Sequence, residues 1–165
     1  MNTVIEKIEP MIYVGTYEKY NSGSIAGKWL SLNDYEDIND FYNACKKLHK
    51  DESDPELMFQ DWEYIPNSMI WEGGLNEEFY DFLDEVNNSH IDYEVFVSAI
   101  DNGINWDSVE ESYMGEHDSD EDFTIEMLGE PEIEHFAHYH IDWKSCAREY
   151  MMDFSEINGH YFSNC

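Results

Sequence analysis

Residues 75–86, with the sequence LNEEFYDFLDEV, combine an apolar stripe with an acidic face. The apolar residues recur at the three- and four-residue spacing of one helix face: Leu75, Phe79, Phe82, Leu83 and Val86. The charged residues between them are all acids, whereas surface helices usually mix signs and gain favourable pairs four residues apart. The stretch therefore predicts a folded amphipathic helix with one continuous negative face.

The excess of acids extends far beyond these twelve residues. From Asp51 to Asp142 the chain holds 28 Asp and Glu and neither Lys nor Arg. Residues 1–50 and 143–165 are nearly balanced, so almost all of the net charge of −30 lies in this block. Disordered acidic segments are poor in aromatic and branched aliphatic residues, but such residues recur throughout this block. We therefore expect it to fold and to hold its carboxylates in fixed positions.

A net charge of −30 on 165 residues also limits the choice of partner. It disfavours nucleic acid and anionic membranes as ligands and favours a basic protein. No apolar run approaches the ~20 residues of a membrane span, and no signal-peptide pattern opens the chain, so a soluble, cytoplasmic protein is expected. Cys45, Cys146 and Cys165 lack metal-ligand spacing and are expected to be reduced thiols.

The order of patterns predicts an α+β fold of three small domains, and self-repulsion of the charge favours an elongated chain. Residues 1–68 are predicted to form a sheet of strands 11–17, 25–32 and 57–64 with a helix over 35–48, capped by Asn33 or Asp34. Residues 69–104 are predicted to form two short helices, 75–86 and 91–100. Residues 105–165 are predicted to hold helices at 107–113, 122–128 and 132–150, with a hairpin turning at Asn158-Gly159.

Candidate catalytic and metal sites are few. His135, His138 and His140 are the best candidate metal ligands, but zinc needs three or four converging ligands, and His140 is expected to point off the face of the other two. A calcium loop beginning at Asp118 would place Phe123 and Gly129 where Gly and Glu are required. No nucleophile or phosphate-binding motif is present. A protein without enzyme activity, cofactor or metal is expected; a metal hydrolase at the histidines is the rival hypothesis.

Several segments resemble ArdA-type antirestriction proteins, in the same order along the chain. The strand Ile12-Tyr13-Val14, followed by Lys19 to Trp29, resembles the family's opening strand and its "Tyr-Asn-x-Gly-x-x-x-Gly-x-Trp" turn. Gln60 to Glu63 is similar to the acidic end of the family's first domain. The remaining similarities are to the antirestriction motif and the last strands: Leu128-Gly129-Glu130, Ile141-Asp142-Trp143, Arg148-Glu149-Tyr150 and the terminal hairpin.

The resemblance implies a DNA mimic encoded by a phage or mobile element. It implies an elongated, curved homodimer that fills the DNA-binding groove of type I restriction–modification enzymes in the bacterial host cytoplasm. Two copies would carry −60, twice the −30 of one chain, which matches the charge of roughly 100 Å of duplex. A mimic directed at another host DNA-binding protein, such as a CRISPR effector, nucleoid protein or repressor, is the alternative.

Two sets of residues follow from this hypothesis. The first, called the acidic array below, comprises the carboxylates expected to imitate phosphates: Asp61, Glu63, Glu72, Glu77, Glu78, Asp81, Asp84, Glu85, Asp92, Glu94, Asp107, Glu110, Glu111, Glu116, Asp118, Asp120, Glu121, Asp122 and Glu126. The second, implied by the resemblance, is a dimer interface through the antirestriction motif: Leu128, Gly129, Glu130, Ile133, Phe136, Tyr139, Ile141, Asp142 and Trp143.

Overall fold

Helices and antiparallel sheets alternate along the chain in the computed structural model, which describes residues 7–129 and 140–164. This mixture agrees with the predicted α+β class. The chain divides into two units, Met1–Tyr93 and Glu94–Cys165, and the division into three domains stays a prediction. None of the helices in the described ranges has both the length and the apolar character that crossing a bilayer requires.

The first unit is built on a three-stranded antiparallel sheet in the order β2-β1-β3. Its elements are β1 (Met11–Thr16), α1 (Tyr17–Asn21), β2 (Lys28–Ser31), α2 (Ile38–Leu48), β3 (Leu57–Glu63), β4 (Ile70–Trp71), β5 (Gly74–Leu75) and α3 (Phe79–Asn88). The β1–β3 register shifts between Tyr13 and Val14, which marks a bulge. Strands β4 and β5 pair with each other as a separate ribbon.

The core of the first unit contains the alternating residues of β1 and the apolar face of α2. Ile12, Val14, Phe41 and Cys45 are fully buried, and the Phe41 ring lies 5.9 Å from that of Phe59. Burial raises the pKa of the Cys45 thiol to about 12, so this thiol remains protonated near neutral pH. The predicted helix over 35–48 and the predicted strands of this unit therefore meet in one core.

Several predicted boundaries in this unit are wrong. Helix α2 begins at Ile38 rather than 35, because the Asp37 side chain caps it by accepting a hydrogen bond from the Asp40 N–H at 2.9 Å. Neither predicted cap fulfils this role, since Leu32–Asp34 forms a 3-10 turn. Leu75 belongs to β5 instead of α3.

The first two strands are also shorter than predicted. The predicted strand over 11–17 ends at Thr16, whose side chain caps the short helix α1 by accepting from the Lys19 N–H at 3.2 Å. The predicted strand over 25–32 is confined to Lys28–Ser31. Both changes reflect a helix and a turn that the β-forming residues of this segment did not indicate.

The second unit packs its helices with a sheet in the order β6-β8-β7, again antiparallel. Its described elements are α4 (Tyr93–Asp101, which begins at the unit boundary), α5 (Val109–Ser112), β6 (Tyr113–Glu116), α6 (Asp120–Leu128), α7 (Trp143–Tyr150), β7 (Phe154–Ile157) and β8 (His160–Ser163). Strand β6 was not predicted, and α6 starts two residues earlier than predicted because Ser119 caps it. The predicted helix over 132–150 is described only from 140 onward, where it is helical from Trp143.

An aromatic cluster fills the core of this second unit. The fully buried Phe123 ring of α6 stacks on Tyr161 of β8 with centroids 4.4 Å apart and planes at 16°. The Phe154 ring contacts the Phe123 ring edge-on, with the two centroids 5.0 Å apart. Aromatic pairs in such geometries add stabilisation beyond the area that they bury. Helix α6, which carries part of the acidic array, is thereby fixed to the sheet.

The terminal hairpin turns at the predicted Asn158-Gly159. Both residues have positive φ, 53° and 83°, as a type I′ turn requires, and the Gly159 N–H donates to Glu156 Oε1 at 2.6 Å. Gly159→Ala should therefore lower the free energy of unfolding by about 1 kcal/mol, the cost of a side chain in left-handed backbone. Urea denaturation measures this loss.

Gly73→Ala is the matched control for that variant. A Cβ at Gly73 would meet its nearest atom at 3.8 Å, an ordinary contact, and its φ lies outside the left-handed range. It should change the free energy of unfolding by less than about 0.5 kcal/mol. Equal stability of the two variants would contradict the assignment of strain to the hairpin turn.

Candidate functional site

The acidic array lies at the surface of both units. All of its members are exposed except Glu85 and Glu121, which are half-buried. The apolar residues between them are turned inward, as the 75–86 stretch illustrates: Leu75, Phe79, Phe82, Leu83 and Val86 are all buried. The sequence pattern therefore separates core from carboxylates as expected, with Leu75 contributing from a strand instead of the helix.

The first turn of α6 shows how individual carboxylates of the array are held in place. Asp120 Oδ1 accepts a hydrogen bond from the Tyr161 hydroxyl at 2.8 Å. Asp122 Oδ2 accepts from Ser119 Oγ at 2.8 Å, and Ser119 in turn caps the helix by accepting from the Asp122 N–H. Negative charge is also favoured at this end of a helix by the helix dipole. These acids are therefore part of the fold and do not swing freely on long side chains.

The same contacts act on the phenol of Tyr161. Burial first, then the hydrogen bond to Asp120 and its charge, raise the pKa of Tyr161 above its ordinary value. The phenol therefore keeps its proton and remains a donor to Asp120 at any pH near neutral. A third array member, Glu126, is near His117: the His117 Nδ1 lies 3.2 Å from Glu126 Oε2.

The acids that begin the block serve an internal purpose, which the sequence did not reveal. Lys19 Nζ lies 3.0 Å from Asp51 Oδ1 and 3.2 Å from Glu52 Oε1, and Glu52 Oε1 also accepts from Thr16 Oγ1 at 2.6 Å. These two acids, which are outside the array, share the single positive charge of Lys19 within the first unit. Together with Lys19 they tie α1 to the connection between α2 and β3.

His49 completes this network. Its Nε2 is 3.1 Å from the Val14 carbonyl and its Nδ1 is 2.8 Å from Lys19 Nζ. Because a carbonyl can only accept and an ammonium can only donate, Nε2 faces the Val14 carbonyl as a donor and Nδ1 faces the Lys19 ammonium as an acceptor. A buried histidine used in this way is a structural residue of the fold.

Substituting Lys19 with Met should destabilise the first unit by about 1–3 kcal/mol, since it leaves partly buried acceptors without their donor. Burial opposes the charge on Lys19, but hydrogen bonds to Asp51 and Glu52 outweigh it and raise its pKa above the ordinary 10.5. This contribution is therefore complete below pH 10.5 and is lost as pH rises through the raised folded-state pKa. The hydrogen bond from Lys19 lowers the pKa of Asp51 below 3.8, so its contribution is present above that pH and is lost as pH falls through the lowered value.

Chemical denaturation across pH measures both features of this prediction. The difference between wild type and Lys19→Met should stay constant between about pH 5 and 9 and narrow at both extremes. Lys28→Met removes the same charge at an exposed position of β2 and should change stability by less than about 0.5 kcal/mol. A Lys19→Met protein as stable as the Lys28→Met protein would refute the role of the network.

The predicted dimer interface is described in part. Leu128, at the end of α6, is 55% exposed, and Gly129 follows with φ of 73°. Ile141 and Trp143 are half-buried, and Asp142 caps α7 by accepting from the Ser145 N–H at 3.1 Å. The remaining predicted interface residues lie outside the described residues: Glu130, Ile133, Phe136 and Tyr139.

The three candidate metal ligands are also described only in part. His140 is exposed, whereas His135 and His138 lie outside the described residues. Within residues 7–129 and 140–164, no group of three or more His, Cys, Asp or Glu side chains is placed to hold a metal ion.

Comparison with known proteins adds one finding. A family model described as antirestriction protein (ArdA) matches residues 12–163, from within β1 to the end of β8. The match covers both units and nearly the whole chain. A search of curated proteins gave no match.

Proposed function

We propose that this chain, which belongs to the ArdA antirestriction family, inhibits type I restriction–modification enzymes by occupying their DNA-binding groove. The inhibitor would bind as a protein ligand and would catalyse no reaction. Membership of the ArdA family supports the antirestriction activity. The observation that carries the DNA-mimic mechanism is the exposure of the acidic array in a block of sequence without Lys or Arg.

The physical basis of the proposal is charge density. Duplex DNA presents one charge per ~1.7 Å of axis, and proteins that bind it place Lys and Arg against the phosphates. Each exposed ion pair contributes only about 0.2–1 kcal/mol, so a mimic needs many of them. The acidic array supplies many carboxylates on both units.

Fixed positions matter as much as charge. A flexible polyanion loses conformational freedom on binding, whereas groups already held in place do not. Asp120 and Asp122 are groups already held in place, because hydrogen bonds fix their side chains and α6 packs on the sheet. They support recognition of the array as a shaped surface.

Restriction of unmodified DNA in bacterial cells tests the antirestriction activity. Cells that carry a type I system and express the protein should be transformed by unmodified plasmid nearly as well as cells without the system. Modified plasmid controls for toxicity and uptake. Unchanged restriction in expressing cells, with the protein present in the lysate, would refute the proposed function.

We further propose a homodimer that forms through the segment from residue 128 to residue 143. Leu128 is an exposed apolar side chain at the edge of this segment, so Leu128→Asp should weaken the dimer at least tenfold by placing a charge in the interface. Sedimentation equilibrium measures the change. Met152→Asp is the control, because Met152 is 80% exposed and lies outside the segment; equal effects of the two variants would contradict the interface.

A further inference from the structure

The segment Lys19 to Trp29, which carries the most specific sequence motif, contributes no residue to the acidic array. It builds one wall of an open groove in the first unit with a volume of about 550 Å³. The lining of this groove, called the aromatic groove below, includes Tyr13, Tyr20, Ile25, Phe59, Trp62 and Glu72. Such an apolar recess is unexpected in a protein whose proposed partner is recognised through charge.

Specific contacts build the wall of the aromatic groove. The Tyr13 hydroxyl donates to the Ile25 carbonyl at 2.8 Å, and the Tyr13 ring packs edge-on to Trp29 at 5.6 Å. A Cβ on Gly27 would lie 2.5 Å from the Val14 carbonyl oxygen, so only glycine permits this close approach. The segment is thereby held beside β1.

The side chains at the mouth of the groove are exposed although they are apolar or aromatic. Tyr20 is 53% exposed and Ile25 is 76% exposed, while Phe59 below them is buried. Trp62 is half-buried, and its indole N–H donates to Asn67 Oδ1 at 3.2 Å, which fixes the plane of the ring. The groove therefore offers ordered aromatic surface to an incoming group.

Glu72 is the charged side chain of this lining. Its backbone carbonyl accepts from the Phe59 N–H at 2.7 Å, which holds this exposed residue beside the aromatic floor of the groove. The pKa of the neighbouring Tyr17 phenol is raised, first by burial and then by the negative charges of Glu72 and Glu56. The field in this region is negative and favours a cation.

Aromatic faces beside a carboxylate fit one type of side chain best. A guanidinium is planar and weakly hydrated, stacks on aromatic rings and pairs with carboxylates, whereas an ammonium is compact and strongly hydrated. We propose that the aromatic groove receives an arginine side chain from the DNA-binding surface of the restriction enzyme, an assignment that rests on the proposed function. A second copy of the chain is disfavoured as the donor, since its net charge is −30 and Arg148 is its one arginine.

Truncation of Tyr20 tests the groove in the complex. Tyr20→Ala should weaken binding to a purified type I DNA-binding core about 5- to 10-fold through lost stacking. The salt dependence of binding should be unchanged, because no charge is removed. Tyr20→Phe keeps the ring and should bind within about twofold of wild type; Tyr20→Ala binding equal to wild type would overturn the proposal while leaving the proposed function intact.

Neutralisation of Glu72 supplies the second arm. Glu72→Gln should weaken binding more than Glu77→Gln, which removes the same charge from an exposed member of the array that lies outside the groove lining. Circular dichroism and urea denaturation confirm that each variant is folded. Equal affinities of these two variants would also overturn the proposal.

Titration with a small probe examines the groove without the enzyme. N-acetylarginine amide should shift the NMR signal of the Trp62 indole N–H in wild type and Tyr20→Phe, with little shift in Tyr20→Ala or with N-acetylnorleucine amide. An equal response to N-acetyllysine amide would overturn the guanidinium assignment. Self-association that disappears in Tyr20→Ala would assign the groove to a second copy and overturn the proposal as well.

Binding to the enzyme core and titration with the arginine probe together separate the failure of the groove from that of the proposed function. If wild type fails to bind the enzyme core but the arginine probe binds the groove, the proposed function is refuted, and with it the enzyme as the source of the arginine. If wild type binds the core but the probe and Tyr20→Ala show no effect, the groove proposal alone is refuted.

Discussion

Neutralising eight carboxylates of the acidic array together should reduce competition with DNA by at least about tenfold. At about 0.2–1 kcal/mol for each exposed pair, eight lost pairs weaken binding by roughly 2–8 kcal/mol, and each 1.4 kcal/mol is tenfold. The residues to change to Asn or Gln are Glu77, Asp81, Asp84, Glu85, Glu110, Glu111, Asp122 and Glu126. Displacement of labelled duplex from a purified type I DNA-binding core measures the effect.

A variant with the same net charge controls for non-specific electrostatics. It neutralises eight exposed acids outside the array: Glu9, Glu18, Asp34, Glu36, Asp40, Asp54, Glu149 and Asp153. This variant should lose much less affinity, because its array is intact. Equal losses would show that total charge alone sets binding. Complete loss of activity on neutralising one array acid would indicate a catalytic site instead.

Removing the Phe123 ring should have the largest effect on stability. The ring is fully buried and contacts Tyr161, Phe154 and His117. Phe123→Ala should cost about 3–5 kcal/mol, since it combines lost burial with a cavity. Phe123→Leu keeps most of the volume and should cost less than half as much. Thermal and urea denaturation give both values.

The same variant separates a shaped surface from a simple polyanion. Phe123→Ala retains every carboxylate, but α6 and its acids lose their anchor on the sheet. Inhibition should therefore fall together with the folded fraction of the second unit. If a largely unfolded Phe123→Ala protein inhibits as well as wild type, fixed positions are irrelevant and the mimicry hypothesis is contradicted.

Features set by short-range chemistry were predictable from the sequence. The spacing of Phe79, Phe82 and Val86 gave the buried face of α3, and Asn158-Gly159 gave the hairpin because its turn needs positive φ. Gly129 marked the end of α6 correctly. In each case, neighbours within a few residues determine the structure, so periodicity and turn residues were sufficient.

Features that depend on distant partners were missed. Strand β6 exists because Tyr113–Glu116 pairs with β8, and its own residues show no strand pattern. Leu75 fits a helical stripe but pairs with Ile70 as a strand, since the short ribbon overrides local periodicity. Tertiary pairing decided both elements.

At the candidate site, the exposure of the residues was predictable, whereas their contacts with distant residues were not. Exposure of the acidic array followed from patterning, because acids alternate with a buried apolar face. The Lys19–His49–Asp51 network and the aromatic groove join residues far apart in sequence. No pattern among neighbouring residues predicts either of them. The unbalanced charge of the block did not reveal that its first two acids are paired internally.

Competition for a type I DNA-binding core across a salt series tests the central claim most directly. Folded wild-type protein should displace duplex DNA from a single site, and its affinity should fall steeply as salt screens the array. Simultaneous binding of protein and duplex to the same core, or displacement unaffected by salt, would contradict it.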